Sequence, residues 1–332
     1  MGNPVRTVVI GCGGMGRHHI RQMLKQTDTT QIAAICDISE KSYALAANIF
    51  TEAGYKPPPN QPDLARLLND YPLDAAFIVT PHACHHDQTV ACLENGLDVL
   101  LEKPMAMNAA EASSLMAARD RTRRLLVVAF PGSLSPQIRK AVKILRGGEA
   151  GKLLTISATA WQDWGPNTAN TWRQQLAISG GGFLFDTGAH MMNTVVDLAG
   201  EEFTEVAAWL DDCGRPVETL SVVIGKLKSG ALVTLHGCGE AIPSCNSDIK
   251  IFCSKAIITT GIWGETLKMQ RAGARVARKV AVPPSLGVWE QFLAVRGGDI
   301  PNPCPPEVGL RMAKLYDAIN KSAALHGQPV EC

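Results

Sequence analysis

The chain has 332 residues, a formal net charge of +1, and a composition that is 46% hydrophobic and 19% charged. This length predicts two domains, and the composition is typical of a globular enzyme rather than a disordered chain. The near-neutral charge excludes a general electrostatic affinity for nucleic acid or for an acidic membrane surface. No apolar run approaches the ~20 residues needed to span a bilayer. We expect no secretory signal, because the first apolar run, Thr7–Ile10, leads directly into glycines.

The cysteines give a further indication of the compartment. The sequence holds 10 of them, and none forms a Cys-x-x-Cys pair. In a long chain without a signal, scattered cysteines are typical of reduced thiols. The sequence therefore predicts a soluble, cytoplasmic protein.

The first part of the chain alternates short apolar runs with helical patterns. The predicted elements, in chain order, are strand Thr7–Ile10, helix Gly14–Lys25, strand Gln31–Cys36, helix Lys41–Phe50, helix Leu64–Asn69, strand Ala75–Val79, helix Cys84–Glu94, strand Asp98–Leu101, helix Ala109–Asp120 and strand Leu125–Ala129. Strands separated by single helices predict right-handed β-α-β units and a doubly wound parallel sheet. Residues 1–129 are the predicted α/β dinucleotide-binding domain.

Beyond Phe130 the strands follow one another directly. The predicted elements are helix Pro136–Leu145, strand Leu153–Trp161, helix Asp186–Leu198, strands Phe203–Leu210, Leu220–Leu227, Ala231–Gly237 and Ile249–Cys253, and helix Glu307–Leu325. Consecutive strands predict a mainly antiparallel open sheet with helices on one face, hence an α+β domain. Residues 130–332 are the predicted substrate-binding and oligomerisation domain. We expect a homodimer or a homotetramer, because the open face of the sheet must be buried.

A glycine-rich segment, Gly11-Cys-Gly13-Gly14-Met15-Gly16, follows the first predicted strand and begins the first helix. Gly11 permits a tight turn, Gly13 lets the backbone approach a pyrophosphate, and Gly16 allows close helix–strand packing. The phosphates then lie at the helix N-terminus, where backbone N–H groups lack partners. This context predicts a dinucleotide site that includes Gly14 and Met15. A glycine-rich turn without a ligand is the alternative.

Asp37 predicts the choice of cofactor. It lies at the end of the second predicted strand and follows the glycines by about 20 residues, the spacing of the residue that binds the ribose. A carboxylate there binds both ribose hydroxyls of NAD and repels the 2′-phosphate of NADP. Ile38 and Ser39 follow and add no positive charge. The sequence therefore favours NAD over NADP.

Candidate catalytic residues occur in both halves. Glu102-Lys103-Pro104 ends a predicted strand, and ligands bind beyond the carboxyl ends of such strands, so Lys103 is predicted to face the nicotinamide; a surface charge is the alternative. Asp186 and His190 lie one turn apart on a predicted helix and share a face. A ligand-binding polar pair, or a capping aspartate with a core histidine, fits that spacing equally well.

Together these elements resemble the glucose–fructose oxidoreductase/inositol dehydrogenase (Gfo/Idh/MocA) family. The residues that carry the resemblance are Gly11, Gly13 and Gly16; Thr80-Pro81 with His85; Glu102-Lys103-Pro104; Gly181-Gly182 with Asp186, Gly188 and His190; and Pro329-Val330-Glu331. The resemblance covers nearly the whole chain. Lys103-Pro104 combined with the Asp-x-x-x-His spacing is its most specific part.

The resemblance implies an NAD-dependent dehydrogenase that acts on a secondary hydroxyl of a sugar or an inositol-like polyol. Lys103 would hydrogen-bond the hydroxyl, His190 would transfer its proton, and Asp186 would orient the substrate or the imidazole. The implied cofactor contacts are the glycine segment, Asp37, Thr80, Pro81, His85, Glu102 and Lys103. An NAD-retaining enzyme that oxidises its substrate transiently, for glycoside cleavage or epimerisation, is one alternative. A non-catalytic cofactor-binding regulator is another.

Some residues depart from the pattern or allow other functions. Asn193 stands where the family often has an aspartate, so a polar substrate contact is expected to change. Trp161, Trp164 and Trp172 lie in one polar loop and suit either a sugar ring or a subunit interface. We expect no metal site at His82–Asp87, because nearly consecutive side chains point in different directions.

Overall fold

The structure is a computed structural model that describes residues 3–332. Its strands are β1 (Val5–Ile10), β2 (Thr30–Cys36), β3 (Ala75–Ile78), β4 (Asp98–Leu101), β5 (Leu126–Val128), β6 (Leu153–Asp163), β7 (Phe203–Asp211), β8 (Leu220–Leu227), β9 (Leu232–Cys238), β10 (Glu240–Cys253), β11 (Ala256–Thr260), β12 (Leu267–Arg271), β13 (Arg278–Lys279) and β14 (Val330–Glu331).

Its α-helices are α1 (Gly14–Met23), α2 (Glu40–Glu52), α3 (Leu64–Asp70), α4 (His85–Glu94), α5 (Ala109–Thr122), α6 (Pro131–Leu134), α7 (Pro136–Arg146), α8 (Trp164–Asn167), α9 (Leu176–Ser179), α10 (Phe183–Asp186), α11 (Gly188–Ala199), α12 (Val288–Gly297) and α13 (Pro306–Ala324). Backbone contacts divide the chain into two compact units. The first comprises the chain up to Ala106 together with Ala110–Ala129 and Leu286–Pro306, and the second comprises Met107–Ala109, Phe130–Ser285 and Glu307–Cys332.

The first unit contains a five-stranded parallel sheet in the order β2-β1-β3-β4-β5. Every residue of β3 is buried, as expected for a central strand with helices on both faces. The strand order reverses between β1 and β3, and such a switch point opens a crevice beyond the carboxyl ends of the strands. The glycine segment leaves β1 at this edge, and Thr80-Pro81 follow β3. The predicted doubly wound sheet is confirmed.

A helix from late in the chain packs in the first unit. Trp289 on α12 is 2% exposed, stacks on Phe77 with ring centroids 6.1 Å apart, and donates through Nε1 to Thr30 Oγ1 at 2.7 Å. Arg296 Nε donates to Asp98 Oδ2 at 2.9 Å. Sequence patterns do not predict α12, and the predicted second domain includes every residue beyond 129. These contacts are instead made to the first sheet and its neighbouring residues.

The second unit contains a nine-stranded sheet in the order β13-β12-β11-β10-β6-β9-β8-β7-β14. All neighbouring strands are antiparallel except β6 and β9, which are parallel. Burial alternates residue by residue along β8 and β9, so one face lies in the core and the other is open. The helix α11 is almost wholly buried and packs on β6 and β9. The predicted mainly antiparallel sheet is confirmed.

Two local predictions differ from the structure. The strand predicted to begin at Ile249 begins at Glu240, and its register shifts between Glu240 and Cys245, where the exposed residues show no apolar alternation. The single helix predicted over Asp186–Leu198 is divided, because α10 ends at Asp186 and α11 begins at Gly188. Within residues 3–332, no helix has both the length and the apolarity required to cross a membrane.

Candidate functional site

The glycine segment after β1 is shaped by two close approaches. Gly11 has φ +94°, and a Cβ there would lie 2.7 Å from the carbonyl oxygen of Val79. A Cβ on Gly16 would lie 2.1 Å from the carbonyl oxygen of Gly11, so both positions require glycine. A Cβ on Gly13 or Gly14 would meet no protein atom within 4 Å. The space over Gly13 and Gly14 is therefore open to a ligand.

The N-terminus of α1 supplies hydrogen-bond donors at this open space. Gly13 caps the helix without a side-chain hydrogen bond, and the first turn contains no acidic residue. Met15 in that turn is 48% exposed. The first N–H groups of a helix have no intrahelical partner and favour an anion. The segment is therefore suited to a pyrophosphate.

Asp37 lies against the glycine segment. Its Oδ2 accepts a hydrogen bond from the Cys12 N–H at 2.6 Å, and its Oδ1 accepts one from the Ser39 N–H at 2.8 Å. The Asn60 side chain accepts from the Asp37 N–H at 3.0 Å. Each carboxylate oxygen has a further lone pair for a ribose hydroxyl. The next residue, Ile38, is uncharged and 90% exposed.

His85 connects the loop after β3 to the turn after β4. The ring is 0% exposed, with Nδ1 2.7 Å from the Pro104 carbonyl oxygen and Nε2 2.9 Å from the Thr80 carbonyl oxygen. Burial lowers the pKa of His85, although the two carbonyls oppose this effect. Thr80 Oγ1 donates to Gln88 Oε1 at 2.6 Å. The His85 ring thus contacts protein carbonyls, whereas Thr80 and Pro81 are partly exposed beyond β3.

Glu102 is a buried carboxylate with two protein contacts. Its Oε1 lies 2.7 Å from His19 Nε2, and its Oε2 accepts from the Lys103 N–H at 3.1 Å. Burial acts to raise its pKa, but the His19 hydrogen bond and the charges of His19 and Lys103 hold that pKa below its ordinary value. From Leu101 to Ala106 every residue is buried except Lys103. The turn therefore presents one side chain, the Lys103 amine.

Asp186 binds the loop that contains Trp164 and Arg173 in the second unit. It is 7% exposed, and its Oδ2 accepts from Trp164 Nε1 at 2.9 Å and from Arg173 Nε at 3.0 Å. The Arg173 guanidinium lies 4.7 Å from the centroid of the Trp172 ring. Trp164 is 2% exposed, so it offers no free ring face, whereas Trp161 and Trp172 are partly exposed. The Asp186 carboxylate is therefore engaged by this loop.

His190 is the one partly exposed residue between Gly181 and Leu198. Its ring packs edge-on against Phe130 and at a tilt against Trp263, with both pairs of centroids 5.8 Å apart. Aromatic walls on two sides fix the orientation of the imidazole. The sequence analysis did not single out Trp263, because an isolated tryptophan beside a glycine carries no motif. Its role depends on contacts distant in sequence.

Asn193 is a core residue. It is 0% exposed, and its Nδ2 donates to Ser133 Oγ at 2.9 Å. Ser133 Oγ in turn donates to Asp197 Oδ2 at 2.7 Å, and Arg139 and Arg146 form ion pairs with the same carboxylate. This network joins α6 and α7 to α11. The Asn193 side chain has no access to solvent in this structure, and the expected change in a substrate contact stays a prediction.

Glu218 supports the glycine turn that precedes Asp186. Its Oε2 accepts from the Gly182 N–H at 2.7 Å, and its carbonyl oxygen accepts from the Phe183 N–H at 2.9 Å. Its Oε1 is sealed from solvent and has no hydrogen-bond partner among the described residues. Burial raises the pKa of Glu218 to about 7, although backbone N–H groups oppose the shift. Sequence patterns do not identify Glu218 as a candidate, since it stands in no motif.

The histidines of the segment His82–Asp87 contact separate groups of the protein. His85 contacts two carbonyl groups, while His86 lies 2.7 Å from Asp87 Oδ1 and 2.9 Å from Ser114 Oγ. The histidine side chains therefore point to different partners. Among residues 3–332, no three His, Cys, Asp or Glu side chains cluster as metal ligands would.

Glu218→Gln tests the raised pKa. Because the folded-state pKa of about 7 exceeds the ordinary 4.5, the folded state holds this proton more tightly, and stability falls as pH rises between those values. The penalty is complete above pH ~7 and amounts to about 3 kcal/mol. Relative to the unmodified protein, Glu218→Gln should gain about that stability between pH ~5 and ~8 in urea unfolding. A stability difference independent of pH would contradict the assignment.

Comparisons with known proteins match both units. Residues 5–130 match the model of the GFO/IDH/MocA oxidoreductase family, NAD-binding Rossmann fold. Residues 138–259 match the GFO/IDH/MocA C-terminal domain. Together the two models account for most of the chain.

Curated relatives and solved structures agree with these matches. Levoglucosan dehydrogenase of Pseudarthrobacter phenanthrenivorans is 29% identical over 55% of the chain, an alignment that spans only 47% of that relative's length. Myo-inositol 2-dehydrogenase of Thermotoga maritima is 27% identical over 76% of the chain and 74% of its own. A structure of levoglucosan dehydrogenase with NADH superimposes with a TM-score of 0.84 at 22% identity, covering 99% of both chains, and shows a shared fold.

Proposed function

The chain belongs to the Gfo/Idh/MocA oxidoreductase family, and from that premise we propose that it is an NAD-dependent dehydrogenase acting on a secondary hydroxyl of a sugar or a cyclic polyol. The observation that carries the proposal is the partly exposed Lys103 in an otherwise buried turn, at the sheet edge that holds the glycine segment. Relatives named for levoglucosan and myo-inositol support the substrate class. These relatives are similar to the chain only in part, so the substrate is a proposal.

The residues of the first unit fit a bound NAD. The open space over Gly13 and Gly14 and the donors of α1 suit the pyrophosphate, and Asp37 suits the ribose. When bound, the nicotinamide supplies the hydride acceptor. Asp37 would repel a 2′-phosphate, and this repulsion supports NAD rather than NADP. Glu102 and His85 would support the cofactor site indirectly, because their side-chain polar atoms contact protein groups.

Lys103 and His190 divide the proton chemistry. Lys103 donates a hydrogen bond to the reacting hydroxyl, and its ammonium charge stabilises the oxygen as negative charge develops there. His190 accepts the hydroxyl proton, a role suited to imidazole because its reference pKa of ~6.5 is close to working pH. Phe130 and Trp263 hold its ring. Asp186 positions the Trp164–Arg173 loop through its two hydrogen bonds.

Turnover of a panel of sugars and polyols that includes levoglucosan and myo-inositol, followed by NADH absorbance, tests the activity. Lys103→Ala and His190→Ala should each lower kcat by roughly 10²–10⁴-fold, because each removes a group that assists proton transfer. NAD affinity should change little, since the glycine segment and Asp37 are left intact. The exposed Lys41→Ala is the control and should behave as the unmodified protein.

Near-normal turnover in both variants would show that the roles are assigned wrongly. Substrate conversion without NADH release would instead indicate transient oxidation with a retained cofactor. No conversion of any panel member, with NAD still bound, would point to a regulator.

The cofactor preference is tested by Asp37→Ser combined with Ile38→Arg. The double substitution removes the repulsion of a 2′-phosphate and adds a guanidinium partner for it. The ratio of the NADP and NAD dissociation constants, measured by titration, should fall at least tenfold. Ile38→Arg alone is the matched control and should give a smaller change. Equal affinity of the unmodified protein for both cofactors would contradict the assignment of Asp37.

The open face of the nine-stranded sheet supports a homodimer or homotetramer. Trp209, Val222, Ile224 and Leu232 are each about half exposed on neighbouring strands, with Trp209 paired to Val222 across β7 and β8. A contiguous exposed apolar patch marks an interaction surface. A second copy of the chain provides a face of matching character.

Light scattering at micromolar protein should give the mass of a dimer or tetramer. Val222→Glu combined with Ile224→Glu should shift it toward the single chain, because two buried carboxylates would lack partners. Lys228→Glu in the turn after β8 changes the net charge equally and should leave the mass unchanged. A single-chain mass for the unmodified protein would exclude the assembly.

A further inference from the structure

The turn that carries Lys103 is tied to the protein on both sides of that residue. On one side, the Glu102 carboxylate accepts the Lys103 N–H and lies 2.7 Å from His19 Nε2. On the other, the Pro104 carbonyl lies 2.7 Å from His85 Nδ1. His19 and His85 are 5% and 0% exposed. Two buried histidines thus contact the residues that flank the amine.

The two histidines come from helices with different roles. His19 lies on α1, whose first turn is the end of the glycine segment. His85 begins α4, shortly after the loop that contains Thr80. The second ring nitrogen of His85 lies 2.9 Å from the Thr80 carbonyl. The contacts therefore join the carboxyl ends of β1, β3 and β4, which are neighbours in the sheet. The Lys103 turn is therefore in contact with both α1 and α4.

Both contacts are energetically significant because the groups are buried. A buried carboxylate is stable only when paired, so Glu102 depends on His19. A buried carbonyl group needs a donor, and in either protonation state the His85 ring carries at least one N–H for its two carbonyls. Without these donors, the Glu102 carboxylate and the Pro104 carbonyl would need hydrogen bonds from water. The turn would then sample other arrangements.

We propose that His19 and His85 are positioning residues for Lys103, holding the peptide groups on either side of it so that the amine has one place relative to the cofactor edge. The inference rests on the proposed role of Lys103 in catalysis. It assigns two polar side chains inside the fold to the reaction, although neither is presented to a substrate. A purely structural role for the same histidines is the competing interpretation, and the two differ in what Lys103→Ala does.

Hydrogen exchange of the NAD-free protein tests, without a substrate, whether His19 and His85 hold the Lys103 turn. His19→Phe and His85→Phe keep a planar ring and remove the N–H donors. Each should accelerate exchange of the backbone amides of Glu102, Lys103, Met105 and Ala106 by at least tenfold. Thr89→Val is the matched control, because Thr89 is buried on α4 and its hydroxyl has no partner among the described residues. Unchanged exchange in both phenylalanine variants would overturn the proposal.

Turnover in a double-mutant cycle tests the positioning. With Lys103 present, each phenylalanine variant should lower kcat at least tenfold; in Lys103→Ala the same substitution should change kcat less than twofold, because no amine remains to be positioned. Equal losses in both backgrounds would mean a structural role and would overturn the proposal. If Lys103→Ala itself keeps near-normal turnover, the proposed catalytic role of Lys103 is wrong. The hydrogen-exchange experiment then still tests whether His19 and His85 hold the turn in place.

Glutamine at either position guards against variants that do not fold. Its amide keeps one donor, so His19→Gln and His85→Gln should retain more turnover and slower exchange than the phenylalanine variants. Thermal unfolding and NAD affinity are measured for every variant, and the double-mutant cycle is interpreted only for variants that fold. If a phenylalanine variant does not fold, the glutamine variant replaces it in the cycle. The loss of kcat should again be larger with Lys103 present than in Lys103→Ala.

Discussion

The close approach of α1 to the ends of β1 and β3 is the constraint on which the first unit depends. Gly16 lies so near the Gly11 carbonyl, and Gly11 so near that of Val79, that no side chain fits at either position. This contact directs the N-terminus of α1 to the sheet edge where the strand order reverses. It also places His19, in the next turn, beside Glu102. The glycine contacts therefore set the position of the α1 N-terminus and, through His19, that of the Lys103 turn.

Buried carboxylates show a second regularity. Glu102, Asp186 and Asp197 are almost inaccessible to solvent, and each is held by a donor: His19, the Trp164 and Arg173 side chains, and Ser133 with two arginines. An unpaired charge at such depth would be costly, so each pairing fixes the segment that carries it. Glu218 is the contrast, because backbone N–H groups alone oppose its burial and its pKa rises.

Local features of the first unit could be predicted from sequence because they depend on neighbouring residues. The glycines, Asp37 and the strand before Lys103 follow rules of turn geometry and periodicity, and the predicted strand Asp98–Leu101 is the observed β4. The partners of Asp186 could not be predicted, since Trp164 and Arg173 reach it through tertiary folding. The same holds for Trp263 beside His190 and for α12, whose short apolar run returns to a sheet formed much earlier in the chain.

The central claim is that hydride passes between a carbinol carbon and the nicotinamide under the control of Lys103 and His190. The most direct measurement follows deuterium from myo-inositol or levoglucosan labelled at the ring carbons, with mass spectrometry of the nicotinamide product. We expect one deuterium in each NADH formed by the unmodified protein, and at equal NAD occupancy a roughly 10²–10⁴-fold slower formation of this labelled NADH with Lys103→Ala and His190→Ala. Substrate conversion without label in the nicotinamide, or formation of labelled NADH by both variants at the rate of the unmodified protein, would contradict this mechanism.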